Sequence, residues 1–305
     1  MNSPIQAAVR VALVHNEEAG DGSSVKEITT LLERHGHRLV RVVDTEFRID
    51  RILDSGADLV VAAGGDGTVA AAARVLAGGK LPLAILPLGT ANNIARSLRS
   101  DGPLDALIAG WAHATPVLLD IGFARGEWGE RIFIESVGAG LIPAGIAAAM
   151  SEEQEAETGS STARPEDAVS TFRDVLAQLE PQPWTVVLDG EERKGEFLLV
   201  EVLNMPSIGP NLVLSNDADP TDSWFSVVIA TEPHRRLLDD YLGQLMKGIE
   251  RPLPLTPCRA RRVEIRGSTD VHIDDQLLHT RTPHAVSMEI EPAALPFLPG
   301  GRHEG

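Results

Sequence analysis

The segment Gly64-Gly65-Asp66-Gly67-Thr68 constrains this chain more than any other, because it lies directly between an apolar run, Ala57 to Ala63, and a helix-like run, Val69 to Leu76. It reads as a strand, a tight glycine turn and a helix start. Glycines carry no Cβ, so main-chain N–H groups can close on an anion, and the helix N-terminus that follows adds partial positive charge. The turn suits a phosphate. Asp66 is the odd residue in it, since a carboxylate repels phosphates unless a divalent cation or a proton to be removed lies between them. The combination points to phosphoryl transfer; the plain alternative is a β–α turn in which Asp66 caps a helix.

A second turn of the same kind follows. Leu83 to Leu88 is a buried-strand pattern running into Gly89-Thr90-Ala91-Asn92-Asn93 and then a helix pattern, Ile94 to Arg99. In an open α/β sheet such turns gather at the carboxyl ends of the strands, where ligands bind. Upstream, residues 8–15 read as a first strand, Val25 to His35 as an amphipathic helix stopped by Gly36, and Arg38 to Val43 as a second strand, with a short helix over residues 47–53. Alternation of strands and helices to about residue 121 predicts a doubly wound parallel sheet. Beyond Asp120 the pattern turns to strands and hairpin signals, among them Leu188-Asp189-Gly190, which predicts a largely antiparallel second domain. Residues 151–167 are acidic and polar without an apolar face and read as a mobile loop; Val169, Phe172, Val175, Leu176 and Leu179 then have helical spacing.

The GGDGT turn, followed some twenty residues later by Pro87-Leu88-Gly89-Thr90-Ala91-Asn92, resembles the hallmark of the diacylglycerol kinase catalytic-domain family, which includes bacterial soluble lipid kinases and is related to sphingosine, ceramide and, more distantly, NAD kinases. The resemblance continues in order: Val117 to Gly122, Phe133 to Gly140, Thr185 to Gly190 with Gly195 to Asn204, the stretch Asn211 to Val228, and His272-Ile273-Asp274-Asp275-Gln276 where the family has V-D-G-E. It covers about residues 9 to 298. It implies a NAD-kinase-like α/β nucleotide-binding domain over residues 8–121, a β-sandwich substrate domain over 122–289 containing the acidic loop, and a C-terminal segment, 290–305, returning to the first domain.

Roles follow from the same resemblance. Gly64, Gly65, Gly67 and Thr68 hold ATP phosphates, with Gly89, Thr90 and Asn92 completing the pocket; Asp66 works through Mg²⁺; Asn16 stands where the family has Asn-Pro, with a loop-side cap as the alternative. Asp274 is the candidate general base for the acceptor hydroxyl, with Asp275 as its neighbouring alternative. Asp217 and Asp222 match a segment that holds a structural Mg²⁺ in some bacterial members, against ordinary Asx turns as the alternative. Departures from the family pattern are Asn93 for Asp, Glu135 for Asn, Asn216 for Pro, Ser223 for Gly and Gln276 for Glu, together with a short span from Thr45 to Gly64. The implied activity is ATP-dependent phosphorylation of a lipid hydroxyl, met transiently at a membrane surface. A kinase of a soluble alcohol or nucleotide, and a weakened nucleotide-binding member, are the alternatives. Homo-oligomerisation is left open.

Composition sets the limits. The net charge of −17, from 44 acidic against 27 basic residues, argues against nucleic acid and against general attraction to an anionic membrane face. Arg259, Arg261, Arg262 and Arg266 form the clearest basic cluster through which a lipid surface could be met, or else a solvated strand face. Cys258 is the sole cysteine, so no internal disulfide is possible. No signal peptide and no run of some 18 apolar residues is evident, and the expectation is a cytoplasmic protein, peripheral to the membrane when it meets its substrate. The nine histidines show no metal-ligand spacing with cysteine and read as ordinary surface or core residues.

Overall fold

Val, Ala and Leu fill three short strands, β1 (Arg10–His15), β3 (Leu59–Gly64) and β4 (Leu83–Pro87), which are buried in a parallel sheet, and the largely exposed β2 (Arg38–Asp44) forms its edge. β1 lies between β2 and β3, and β4 joins β3, all parallel. The structure is a computed structural model that describes residues 9–15, 24–44, 49–156 and 165–301. The chain divides into two compact units, Met1–Ile121 with Pro292–Gly305, and Gly122–Glu291.

In the first unit, α1 (Val25–Arg34) opens with a capping box in which the Ser24 hydroxyl accepts from the Glu27 N–H and the Glu27 carboxylate accepts from the Ser24 N–H. Gly36, at φ +78°, ends it as expected. A single 3₁₀ turn, Ile49–Ile52, occupies the described part of the short helix expected over 47–53. α2 (Asp66–Leu76) begins three residues before the expected start, because Gly65 is extended and serves as the N-cap, which lets Asp66, Gly67 and Thr68 enter the first turn. α3 (Asn93–Ser97) and α4 (Leu104–Gly110) follow. Ile28 and Leu32 of α1, Leu107 and Ile108 of α4, Trp111 and Leu298 pack with the strands into one core.

β5 (Val117–Gly126) carries the chain into the second unit, whose strands are antiparallel. These are β6 (Gly129–Phe133), β7 (Ser136–Gly140), β8 (Gln182–Leu188), β9 (Glu191–Phe197), β10 (Leu199–Leu203), the two-residue β11 (Ser207–Ile208) and β12 (Leu212–Val213), β13 (Phe225–Ala230), β14 (Cys258–Ala260), β15 (Arg262–Ile273) and β16 (Gln276–Phe297). β15 pairs with β8 along its first half and with β7 along its last residues, the register shifting around Gly267, at φ +103°. A bulge there bends the strand so that it serves two partners. β7 continues to β10, β13 and β14. The β8–β9 hairpin turns on Asp189 and Gly190, both at positive φ, the Asp-Gly chemistry that favours a two-residue turn. Helices α5 (Leu141–Ala156), α6 (Pro165–Gln178) and α7 (Arg235–Leu245) bury Leu141, Ile142, Phe172, Leu176, Leu238 and Leu242 in a second core of this unit. Helix occupies both described ends of the loop expected over 151–167. α5 continues through Ala156, whose Glu, Gln and Ala are good helix formers even without an apolar face, and α6 starts at Pro165; residues 157–164 lie outside the described ones. The last residues of β16 belong to the first unit, where Phe297 pairs in parallel with Leu83.

The fold class is therefore an α/β domain with a parallel sheet and a largely antiparallel β domain, as the sequence indicates.

Candidate functional site

The two glycine turns of the first unit are pressed together. A Cβ on Gly89 would stand 2.4 Å from the Gly65 Cα, so the contact exists only because Gly89 has no side chain, and one on Gly65 would stand 3.3 Å from the Gly89 Cα, a tight fit. Leu88 donates its N–H to the Gly64 carbonyl at 3.0 Å and ties the ends of β4 and β3 together. At the head of α2 the Val69 N–H donates to the Gly65 carbonyl at 3.1 Å, and Gly65 supplies no side-chain cap. The N–H groups of the first turn, with the positive end of the helix dipole, therefore make an anion-binding geometry on exposed Gly67 and half-buried Gly65 and Asp66.

Asp66 reaches across to the second turn. One carboxylate oxygen accepts from the Asn93 N–H at 2.9 Å and the other from the Ile94 N–H at 2.9 Å, so Asp66 caps α3 from 27 residues away. The plain role weighed for it is thus present. Two main-chain bonds do not exhaust the lone pairs of a carboxylate, and hard oxygen donors of this kind suit Mg²⁺, so Asp66 fits the group the turn implies. Thr68 is placed differently from expectation. The residue is largely buried, and a Cβ on Gly64 would meet its Oγ1 at 2.3 Å, so its hydroxyl lies against the Gly64 main chain at the base of the turn. Asn92, at φ +50°, folds its amide back on Gly89, accepting from the N–H at 3.0 Å and donating to the carbonyl at 2.7 Å. It braces the turn instead of lining it, while Thr90 is exposed. Asn16 lies outside the described residues.

In the second unit, Asp274 and Asp275 form the two-residue turn between β15 and β16, where Ile273 pairs with Gln276. Asp274 takes φ +51° and is buried, whereas Asp275 is exposed. The Asp274 carboxylate accepts the N–H of Ile134 at 3.0 Å and of Glu135 at 2.9 Å, and its own N–H donates to the Ser136 carbonyl. It is held in one orientation. Asn204 braces the same segment, donating its side-chain amide to the Ile134 carbonyl at 2.8 Å. Gln276 accepts from Arg131 at 2.8 Å.

Two comparisons of sequence decide what this arrangement belongs to. Residues 10–123 match the model of the diacylglycerol kinase catalytic domain, and residues 140–298, more than half of the chain, match that of the YegS C-terminal NAD kinase beta sandwich-like domain. The chain belongs to the diacylglycerol kinase family. Among the relatives of this kinase family, a diacylglycerol kinase of Mycobacterium tuberculosis is 28% identical over 310 residues, covering 95% of this chain and 94% of that protein. A diacylglycerol kinase of Staphylococcus epidermidis is 26% identical over 249 residues, covering 79% and 74%. A crystal structure of a diacylglycerol kinase from Bacillus anthracis superposes with a TM-score of 0.67 at 20% identity, covering 95% of this chain and 96% of that one, which shows a common fold. Membership supports lipid kinase activity in general.

Within this member of the family, Asp222 is engaged by protein partners and Asp217 is open to solvent. Asp222 accepts the Trp224 N–H at 2.9 Å and pairs with the Arg259 guanidinium. Among the described residues no group of three or more His, Cys, Asp or Glu could hold a metal ion. The Arg259 to Arg266 cluster is interleaved with acids: Arg262 pairs with Glu289 at 2.9 Å, Arg266 with Glu264 at 2.9 Å and Glu192 at 2.8 Å, and Arg259 and Arg261 lie over the Trp224 ring. Acids thus answer Arg259, Arg262 and Arg266. Among the described residues no helix is long and apolar enough to cross a membrane.

Sequence reasoning passed over one feature of this diacylglycerol kinase family member. Glu201 and His272 are fully buried, with Glu201 Oε1 and His272 Nε2 2.8 Å apart. Burial alone would drive the imidazole toward its neutral form, but the Glu201 charge and hydrogen bond, joined by the Asp274 main-chain carbonyl, outweigh it and raise its pKa above the ordinary histidine value. The signal was there: Glu201 is a lone acid in the apolar run Phe197 to Leu203.

Proposed function

We propose that this protein transfers the γ-phosphoryl group of ATP to a hydroxyl on a lipid of the diacylglycerol class. The observation that carries the reading is the Gly65–Gly89 contact at the head of α2, a main-chain anion cradle inside a match to a diacylglycerol kinase catalytic domain. The N–H groups of Asp66, Gly67 and Thr68 bind phosphate oxygens, and the Gly89 and Thr90 main chain closes the other side. Asp66 would hold a Mg²⁺ ion, which when bound neutralises charge on the phosphates. Asp274 accepts the proton of the attacking hydroxyl, a task for which a carboxylate fixed by two main-chain donors needs little reorganisation.

The test is transfer of labelled γ-phosphate from Mg·ATP to a bacterial lipid extract in detergent, with organic and aqueous phases counted separately. Label in the organic phase that disappears with Asp274→Asn supports the proposal. Label only in an aqueous product points to a soluble acceptor, and label in neither leaves a nucleotide-binding member of the family. Gln276, which bonds Arg131 where the family pattern has an acid, is the observation that keeps this last reading in view.

A further inference from the structure

Three neighbouring strands line up a glycine between two charged groups. Glu201 of β10 lies opposite Gly138 of β7, and Gly138 lies opposite His272 of β15. Glu201 and His272 are therefore two strands apart, about 9.6 Å along the hydrogen-bonding direction, and meet only by reaching over the strand between them. Gly138 makes that possible. A Cβ there would stand 1.9 Å from Glu201 Oε2, so any side chain at this position would expel the carboxylate. A buried acid, a buried histidine and the one residue type that leaves room for their contact are thus placed in a row.

The far end of the row is Asp274. His272 Nδ1 lies 2.9 Å from the Asp274 main-chain carbonyl. A carbonyl only accepts, so Nδ1 carries a proton, and Nε2 faces Glu201 either as a second N–H beside a carboxylate or as an acceptor from the carboxylic acid. In both forms the chain of bonds from Glu201 through His272 to Asp274 is complete. Asp274 sits at φ +51°, a conformation that a non-glycine residue holds only when its surroundings determine it.

We propose that the Glu201–His272 pair, admitted by Gly138, is a positioning device that fixes the Asp274 turn and so the direction in which its carboxylate points. The proposal rests on the reading of Asp274 as the base, and goes beyond it in assigning the residues that hold the base in place. Glu201 and His272 act through the Asp274 main chain.

The test uses the full-length protein. Removing His272 alone would strand a buried carboxylate, so the informative variant is the double His272→Phe with Glu201→Leu, in which both polar partners give way to apolar ones and the fold is preserved. Glu201→Gln is its conservative counterpart, because the amide can donate to Nε2 of the neutral ring and keep the chain of bonds. Two readouts are taken: kcat and KM for ATP, and hydrogen exchange at the Ile134 and Glu135 amides that bond the Asp274 carboxylate. In the folded double variant kcat falls at least tenfold with KM for ATP unchanged, the two amides exchange at least tenfold faster, and amides of β13 do not change. Glu201→Gln keeps both readouts near wild type. A folded double variant with wild-type kcat overturns the proposal. If wild-type protein transfers no phosphate at all, the kinase reading falls by itself, and exchange at the two amides then decides whether the pair holds the turn.

Discussion

At the scale of single residues, charge and conformation separate roles that residue type alone leaves mixed. Asp274 is suited to an isosteric test, because Asn also tolerates positive φ and its amide oxygen can accept the Ile134 and Glu135 N–H bonds. Asp274→Asn should keep ATP binding and lose about 10² to 10⁴ in kcat, measured by initial rates and an ATP titration. Two of the buried histidines, His37 and His272, oppose each other in pH dependence. Burial, with a smaller contribution from His35, lowers the pKa of His37, whose ring rests against Trp111. Its folded value lies below the unfolded one, about 6.5, so its contribution is intact above that pH and is lost as pH falls from there through the folded value. His272 is raised, so its contribution is intact below about 6.5 and is lost as pH rises through the folded value. Urea midpoints taken from pH 5 to 9 should therefore flatten on the acid side in His37→Phe and on the alkaline side in the His272→Phe, Glu201→Leu double variant. Equal slopes in wild type and His37→Phe would remove His37 from this account.

At the scale of elements, the glycine turns carry their function by closeness. Gly89→Ala must separate β4 from the head of α2, since its Cβ would fall 2.4 Å from the Gly65 Cα and 2.9 Å from Asn92 Oδ1. A loss of about 1–3 kcal/mol in urea unfolding is expected, together with weakened ATP binding. Gly65→Ala, at 3.3 Å, should cost less on both counts. A Gly89→Ala protein as stable as Gly65→Ala would mean that the two turns do not need this contact. Much of the element layout was readable beforehand: the strand–glycine–helix order at residues 57–76, Gly36 ending α1 and the Asp189-Gly190 hairpin all depend on backbone chemistry within a few residues. The early start of α2 and the extension of α5 through Ala156 were not, because apolar periodicity is silent where a helix turn carries Gly, Asp or Glu.

At the scale of the whole molecule, a charge of −17 and an arginine cluster answered by Glu192, Glu264, Glu289 and Asp222 leave little to attract an anionic bilayer. Co-sedimentation in about 0.15 M salt, where the Debye length is about 8 Å, should show no tighter binding to vesicles with anionic lipid than to neutral ones. Stronger binding to anionic vesicles that weakens with salt would show that a basic surface elsewhere on the chain meets the membrane.

The order of strands and helices up to the second glycine turn, the two phosphate-type turns and the family resemblance were legible in the amino-acid string, because each rests on periodicity or on glycine and proline chemistry acting over a few neighbours, whereas α5 and α7 were not read from it. The partners of the charged side chains were not. Asp66 finds α3 across 27 residues, Asp274 finds Ile134 and Glu135 across about 140, and Glu201 finds His272 across 71. Such pairings have no local signature: sheet register and the absence of a side chain at Gly138 bring the groups together, and burial then makes each hydrogen bond obligatory. Backbone preferences drew the scaffold, while only the folded sheet decided which acids cap, which pair and which stays poised on its turn.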